Sequence, residues 1–180
     1  MRWTVHGERP LYESDWVRLV LTDVELPSGA RFEHHVVRMP APAAGVVVQD
    51  PAHDGVLLLW RHRFTTDTWG WEVPAGRVDE GETPSEAGGR EVLEETGWRP
   101  GPLRPLTTYF PYNGVSDGTF HLFAADAAEH VGAPVDTDEA ERVAWTPWPD
   151  VVAAIDAGQV GDGLSLSALL WVLARESPLG

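Results

Sequence analysis

The stretch from Thr83 to Gly97 leaves the chain little freedom, because it carries both ends of one helix. Thr83-Pro84-Ser85-Glu86 reads as a capping box, with Thr83 as the cap, Pro84 in the first turn and Glu86 reaching back. Gly97 reads as the left-handed stop. Placed at about 100° per residue, Val92 and Leu93 point to one side, with Gly89 and Thr96 between them. Ala87, Arg90, Glu91 and Glu94 point to the other, and Glu95 flanks them. Glu91 therefore neighbours both Glu94 and Glu95. Like charges at this spacing weaken a bare helix, so a compensating charge is expected. Hard oxygen ligands in such a cluster suit Mg²⁺ or Mn²⁺. Taken alone, a Glu-rich helix also reads as a solvated acidic face.

Composition narrows the partners. The net charge is −15, and all 13 basic residues are Arg. A nucleic-acid binder normally shows a basic face, so nucleic acid is not an expected partner. An acidic protein can still handle phosphates if bound metal supplies local positive charge. Without Cys there is no disulfide, thiol nucleophile or thiolate metal site. No apolar run is long enough to span a bilayer, so no membrane is expected, and the cysteine-free composition fits a cytoplasmic location.

Around the helix the chain reads mainly as strands. Strands are expected at 16–21, 31–38, 45–49, 56–60, 69–73, 106–110, 119–125 and 142–145, and helices at 150–157 and 164–176. Helices are too sparse for regular βαβ alternation, so the expected class is α/β of the α+β type with a mixed sheet. Residues 1–40 read as an N-terminal β arm within the same domain, and 41–180 as the main body.

The wider spacing is more specific than the helix. Gly76, Glu82 and then Arg90-Glu91-Val92-Leu93-Glu94-Glu95-Thr96-Gly97-Trp98 match every fixed position of the Nudix box, and the chain resembles the Nudix hydrolases. Trp71-Glu72-Val73-Pro74-Ala75-Gly76 and Leu59-Trp60-Arg61-His62-Arg63 resemble segments of the ADP-ribose pyrophosphatase group, with Arg61 standing where Gln is usual. The arm ending at Val36-Val37-Arg38 and the loop Asn113-Gly114-Val115-Ser116-Asp117 are similar to the same group.

The resemblance implies a Nudix α/β/α sandwich and a metal site made by Glu91, Glu94, Glu95 and the carbonyl of Ala75, loaded with Mg²⁺ or Mn²⁺. It makes Gly76, Glu82 and Arg90 structural braces. It gives Arg63, Arg38 and Glu72 to substrate binding, and Glu94, Glu95 and Asp117 to catalysis, with Asp117 in the slot of a water-positioning Glu. The implied reaction is metal-dependent hydrolysis of a nucleoside diphosphate sugar, ADP-ribose to AMP and ribose 5-phosphate. Another nucleotide sugar, a dinucleoside polyphosphate or a non-nucleotide diphosphate is the alternative, with a non-catalytic ADP-ribose sensor behind it. Trp3, Leu11, Tyr12, Trp16, Val17, Leu19 and Leu21 make the arm apolar, which points to a homodimer formed through residues 1–40.

Overall fold

The computed structural model describes residues 1–136 and 138–176, in two compact units. The first unit comprises Met1–Pro42 and Phe110–Thr119. Its strands β1 (Thr4–Glu13), β2 (Arg18–Glu25) and β3 (Arg31–Arg38) form an antiparallel meander in the order β1-β2-β3. The sequence led us to expect a two-stranded hairpin whose first strand covers 16–21. Instead Trp16 lies exposed in a turn, where the Ser14 hydroxyl accepts from the amides of Trp16 and Val17, and the strand runs on to Glu25. Gly7 and Pro10 both disfavour a strand interior, yet β1 is an edge strand. Pro is tolerated on an edge, and the pairing absorbs both residues as register shifts between Val5 and Gly7 and between Pro10 and Tyr12. The 110–119 segment joins this unit by a parallel bridge from Ser116 to Val37 and by Val37 N–H donating to the Val115 carbonyl at 2.8 Å.

The second unit comprises Ala43–Tyr109 and Phe120 onward. Strands β4 (Ala43–Asp50), β5 (Gly55–Arg63), β6 (Thr68–Glu72) and β7 (Ala75–Arg77) precede helix α1 (Pro84–Thr96). Then come β8 (Trp98–Pro100), β9 (Arg104–Tyr109), β10 (Phe120–Ala125), β11 (Ala128–His130) and β12 (Arg142–Thr146). Helices α2 (Trp148–Asp156) and α3 (Gly163–Glu176) close the described chain. The main sheet runs β12-β5-β4-β10-β9, with β6 on β5 and β7 on β4. β10 lies parallel to β4 and the other pairings are antiparallel, so the sheet is mixed.

Strand periodicity builds two cores on opposite faces of this sheet. Val47, Val56, Leu58, Leu122 and Ala124 pack with Val151 of α2 and Leu164, Leu169 and Val172 of α3. Their neighbours Val46, Val48, Leu57, Phe123 and Ala125 pack with Ala87 and Val92 of α1. Each central strand is buried on both faces, which is why 45–49 and 56–60 read as continuous apolar runs. The expected α+β sandwich with a mixed sheet is what forms. No helix among the described residues is long and apolar enough to cross a membrane.

Two small corrections follow from tertiary context. Helix α2 begins at Trp148 instead of Asp150, because Pro147 and Pro149 are compatible with a first turn. The short strands β7, β8 and β11 carry no period of their own and exist only through their partners β4 and each other.

Candidate metal centre

Helix α1 has the ends expected of it. Thr83 Oγ1 accepts from Glu86 N–H at 3.2 Å, and the Glu86 carboxylate accepts from Thr83 N–H at 2.8 Å. Gly97 stops the helix at φ 73°. The faces differ from the expected ones. Ala87, Gly88, Val92, Glu95 and Thr96 are buried, so the side that carries Ala87 and Glu95 faces the core. At about 100° per residue these five fill half the helix circumference, and Glu95 lies near the middle of that arc. Glu91 falls within the same arc, between Ala87 and Glu95, and Glu94 lies just past its edge. The helix thus turns two carboxylates toward the protein, Glu95 fully buried and Glu91 largely so, and leaves Glu94 at the boundary.

Each carboxylate has its own setting. Glu95 is only 2% exposed. Its Oε1 accepts from Arg61 Nη1 at 2.7 Å, and its Oε2 accepts from Ala75 N–H at 3.0 Å. Burial pushes its carboxyl up to about 7, against the opposing pull of Arg61 and the Ala75 amide. Glu91 is also raised, chiefly by burial, with Arg90 acting the other way. It lies against the backbone of Gly76, where an added Cβ would fall 2.1 Å from the Glu91 Cδ. Any residue but glycine at 76 therefore occupies the seat of the carboxylate. Glu94 is the most open of the three.

Arg90 ties the loop to the helix. Its Nη1 donates to Glu91 at 2.7 Å and to Glu94 at 2.9 Å, its Nε to Glu82 at 3.0 Å, and its Nη2 to Glu82 and to the Arg77 carbonyl, both at 3.0 Å. Glu82 also accepts from Asp79 N–H at 3.2 Å, and its carboxyl is held low by Arg90. The 76–82 loop is thus fastened along its length.

The remaining residues singled out in the sequence form two separate pairs. Alternation along β5 sends Trp60 and His62 to one face, beside Trp71 and Trp69, and Arg61 and Arg63 to the other. Arg63 grips the buried Glu72 with both ends of its fork, Nε to Oε1 at 2.9 Å and Nη2 to Oε2 at 2.5 Å. In the first unit, Asp117 accepts from Met39 N–H at 2.9 Å and from Arg38 Nη1 at 3.2 Å, and Arg38 also pairs with Glu8. Both oxygens of Asp117 are engaged.

Two residues escaped the sequence reading. Arg61 is 4% exposed and joins Glu95 to Glu139. Its signal was present, as an arginine two residues before Arg63 at the end of a buried apolar strand. Glu139 lies in an acidic stretch with no local feature to mark it.

Among the described residues no three carboxylate or imidazole groups already converge as a closed cage; guanidinium groups stand between the carboxylates. The donor set nevertheless fits a hard divalent cation. It offers oxygen donors alone, with the Glu91 and Glu95 carboxyls made reluctant anions by burial, beside a backbone that carries no Cβ at Gly76. Glu91, Glu94, Glu95 and the Ala75 carbonyl would hold the ion.

The raised Glu95 carboxyl has a testable consequence. In the folded chain it stays protonated to about pH 7, and in the unfolded chain only to the ordinary value of 4.5. The stability it contributes is full below pH 4.5 and lost as pH rises to 7, a change on the order of 3 kcal/mol. A bound cation offsets that loss, since metal and proton compete for the carboxylate. The rise in melting temperature on adding Mg²⁺ to chelator-treated protein is therefore expected to be small at pH 5 and to grow up to about pH 7.5. An increment independent of pH contradicts this placement of Glu95.

Comparison with known proteins agrees with the geometry. Residues 39–164 match the NUDIX domain family. A CMP-5'-(N-acetyl-N-hydroxy-3-aminopropyl)phosphonate hydrolase of Streptomyces rubellomurinus is 40% identical, over 99% of this chain and 87% of that protein. An ADP-ribose pyrophosphatase of Bacillus subtilis is 25% identical, over 95% and 92%. A solved structure described as an ADP compounds hydrolase superposes with a TM-score of 0.85 at 19% identity, covering 100% of this chain and 97% of that one, and so shares the fold. The protein is a Nudix hydrolase.

Proposed function

We propose that the enzyme hydrolyses the P–O–P anhydride of a nucleoside 5′-monophosphoryl conjugate, using Mg²⁺ or Mn²⁺ held by the carboxylates of α1. The observation that carries this reading is the seat of Glu91 against Gly76, with Glu94 and Glu95 on the same helix. A divalent ion there supplies positive charge to the diphosphate and lowers the pKa of a water. Water adds to one phosphorus, the bond from that phosphorus to the bridging oxygen breaks, and a nucleoside monophosphate leaves with the other phosphoryl or phosphonyl product. The water's proton needs an acceptor. Glu94 is the most open carboxylate of the helix and is held by Arg90 at one oxygen, which leaves the other to face the water, whereas Glu95 is held at both oxygens and is better suited to holding the ion. Asp117 belongs to the first unit, and both of its oxygens are already engaged by Arg38 and Met39.

Two substrate classes have specific support. The 40% identical relative acts on a cytidylyl phosphonate, and its coverage of nearly the whole chain favours that class. ADP-ribose, cleaved to AMP and ribose 5-phosphate, is the second reading, supported by the 25% identical pyrophosphatase and by the Arg63 and Glu72 segments that resemble that group. In either case Arg63, half exposed, is proposed to turn part of its fork to the substrate while Glu72 anchors it. Residues 1–40 are proposed as the contact to a second copy. Every residue of β1 is exposed, Val5, Leu11 and Tyr12 among them, as is Trp3 just before it, which supports an apolar partner for this strand.

The test is a panel of a cytidylyl phosphonate, ADP-ribose, other nucleotide sugars and a dinucleoside polyphosphate. Each is incubated with Mg²⁺ or Mn²⁺, products are resolved by chromatography, and the enzyme's mass is fixed by light scattering. Metal-dependent release of CMP or AMP from the first two is expected, by a dimer. A folded protein that cleaves none of them with either metal overturns the reading.

Gly76→Ala supplies a second test. The atoms nearest the added methyl all belong to the movable end of Glu91, so the melting temperature should hardly change. The displaced carboxylate should cost about a hundredfold in kcat, the usual penalty for moving a reacting group by an ångström. Turnover near that of the parent protein means that the seat of Glu91 is not used.

A further inference from the structure

Arg61 takes no part in the chemistry proposed above, yet it is the only arginine among the described residues that is fully buried. One guanidinium meets three parts of the second unit. Nη1 donates to Glu95 on α1 at 2.7 Å and lies 3.9 Å from Glu72 of β6. Nε donates to the Glu139 carbonyl at 3.0 Å, and Nη2 donates to the Glu139 carboxylate. Both the backbone and the side chain of Glu139 are therefore held by the same cation.

The chain that carries Glu139 lies along the C-terminal end of α1. A helix leaves its last carbonyls without partners inside the helix. Here Val131 N–H donates to the Gly97 carbonyl at 2.9 Å, and Val135 and Asp136 N–H donate to the Glu94 carbonyl at 2.9 and 3.2 Å. A Cβ on Gly97 would stand 2.1 Å from the Gly132 carbonyl oxygen, so the approach is close. Beyond Glu139, Glu141 N–H donates to the Trp60 carbonyl at 2.9 Å, next to Arg61 itself.

The charges oppose this docking. The segment carries Asp136, Asp138, Glu139 and Glu141, and it docks at a helix end that is already negative by its dipole and carries Glu94 and Glu95. Its last turn contains no basic residue. Amide-to-carbonyl bonds fasten the segment at its two ends, and between them the opposing charge comes from Arg61. A Gln at this position, usual in the segments this one resembles, could neither neutralise Glu139 nor bridge three partners.

We propose that Arg61 is a positioning residue: it latches residues 131–136 and 138–141 onto the end of the carboxylate helix through Glu139, and by the same guanidinium it fixes the Glu95 carboxylate. The order of the segment and the geometry of the metal centre are then one coupled state. The latch stands on geometry alone; its kinetic consequence rests on the proposed function.

The experiment is a double-mutant cycle of Arg61→Gln and Glu139→Gln, read by hydrogen exchange and by kinetics with the substrate of the panel. Gln retains a polar group for Glu95, so both single variants are expected to melt cooperatively. In Arg61→Gln the amides of Val135, Asp136 and Glu141 should exchange roughly tenfold faster, while those of β4 and β10 keep their protection. Its kcat should fall about tenfold with little change in KM for substrate. Glu139→Gln should loosen the same amides, and the double variant should exchange no faster there than Arg61→Gln alone. Unchanged exchange at these amides in Arg61→Gln, loosening spread evenly over the chain, or additive effects in the double variant would each overturn the latch. A parent enzyme without turnover would remove the proposed function while leaving the exchange cycle as a test of the latch.

Discussion

The structure depends on burying a carboxylate. Glu95 stands near the middle of the buried arc of α1, a place that on most helices belongs to Leu or Val. A buried carboxylate must be paired or give up its charge, and here Arg61 and the Ala75 amide receive it. Ala75 begins the strand that holds the Gly76 seat, and Arg61 lies near the end of β5. Satisfying one side chain thus fixes the distance between the helix, the strand before it and the middle of the sheet. A buried ion pair seldom adds net stability; its use here is to give the carboxylates a defined place.

The remaining parts distribute negative charge around that pair. Arg90 serves Glu82, Glu91 and Glu94 at once. Each guanidinium compensates several carboxylates, and the Glu91 and Glu95 carboxyls still lie above their ordinary range. Burial is the main cause of those raised values, and a divalent cation seated there would favour the ionised carboxylates. An overall charge of −15 is compatible with phosphate chemistry where a bound cation supplies the local positive charge.

Much of this was legible in the sequence because it rests on local rules. Thr83, Pro84, Glu86 and Gly97 fixed both ends of α1 within one continuous stretch. The apolar runs of β4 and β5 announced a sheet covered on both faces. What escaped was set by distant partners. Ala87 and Gly88 are buried because β4 passes over them, and a Cβ on Gly88 would touch Val46 at 2.8 Å. β1 forms despite Gly7 and Pro10 because an edge strand tolerates them. Arg61 and Glu139 are 78 residues apart, and no period links them. The residues assigned by resemblance turned out to be one another's partners, Arg63 with Glu72 and Arg38 with Asp117, which single positions in a chain cannot reveal.

The most direct test of the metal centre is a crystal of the protein soaked in Mn²⁺, with the anomalous difference map calculated at the manganese edge. The account expects a peak within about 2.2 Å of carboxylate oxygens of Glu91 and Glu95, near Gly76, with Glu94 beside it. Manganese bound elsewhere, with Glu91 and Glu95 still held only by arginine and backbone, would contradict it.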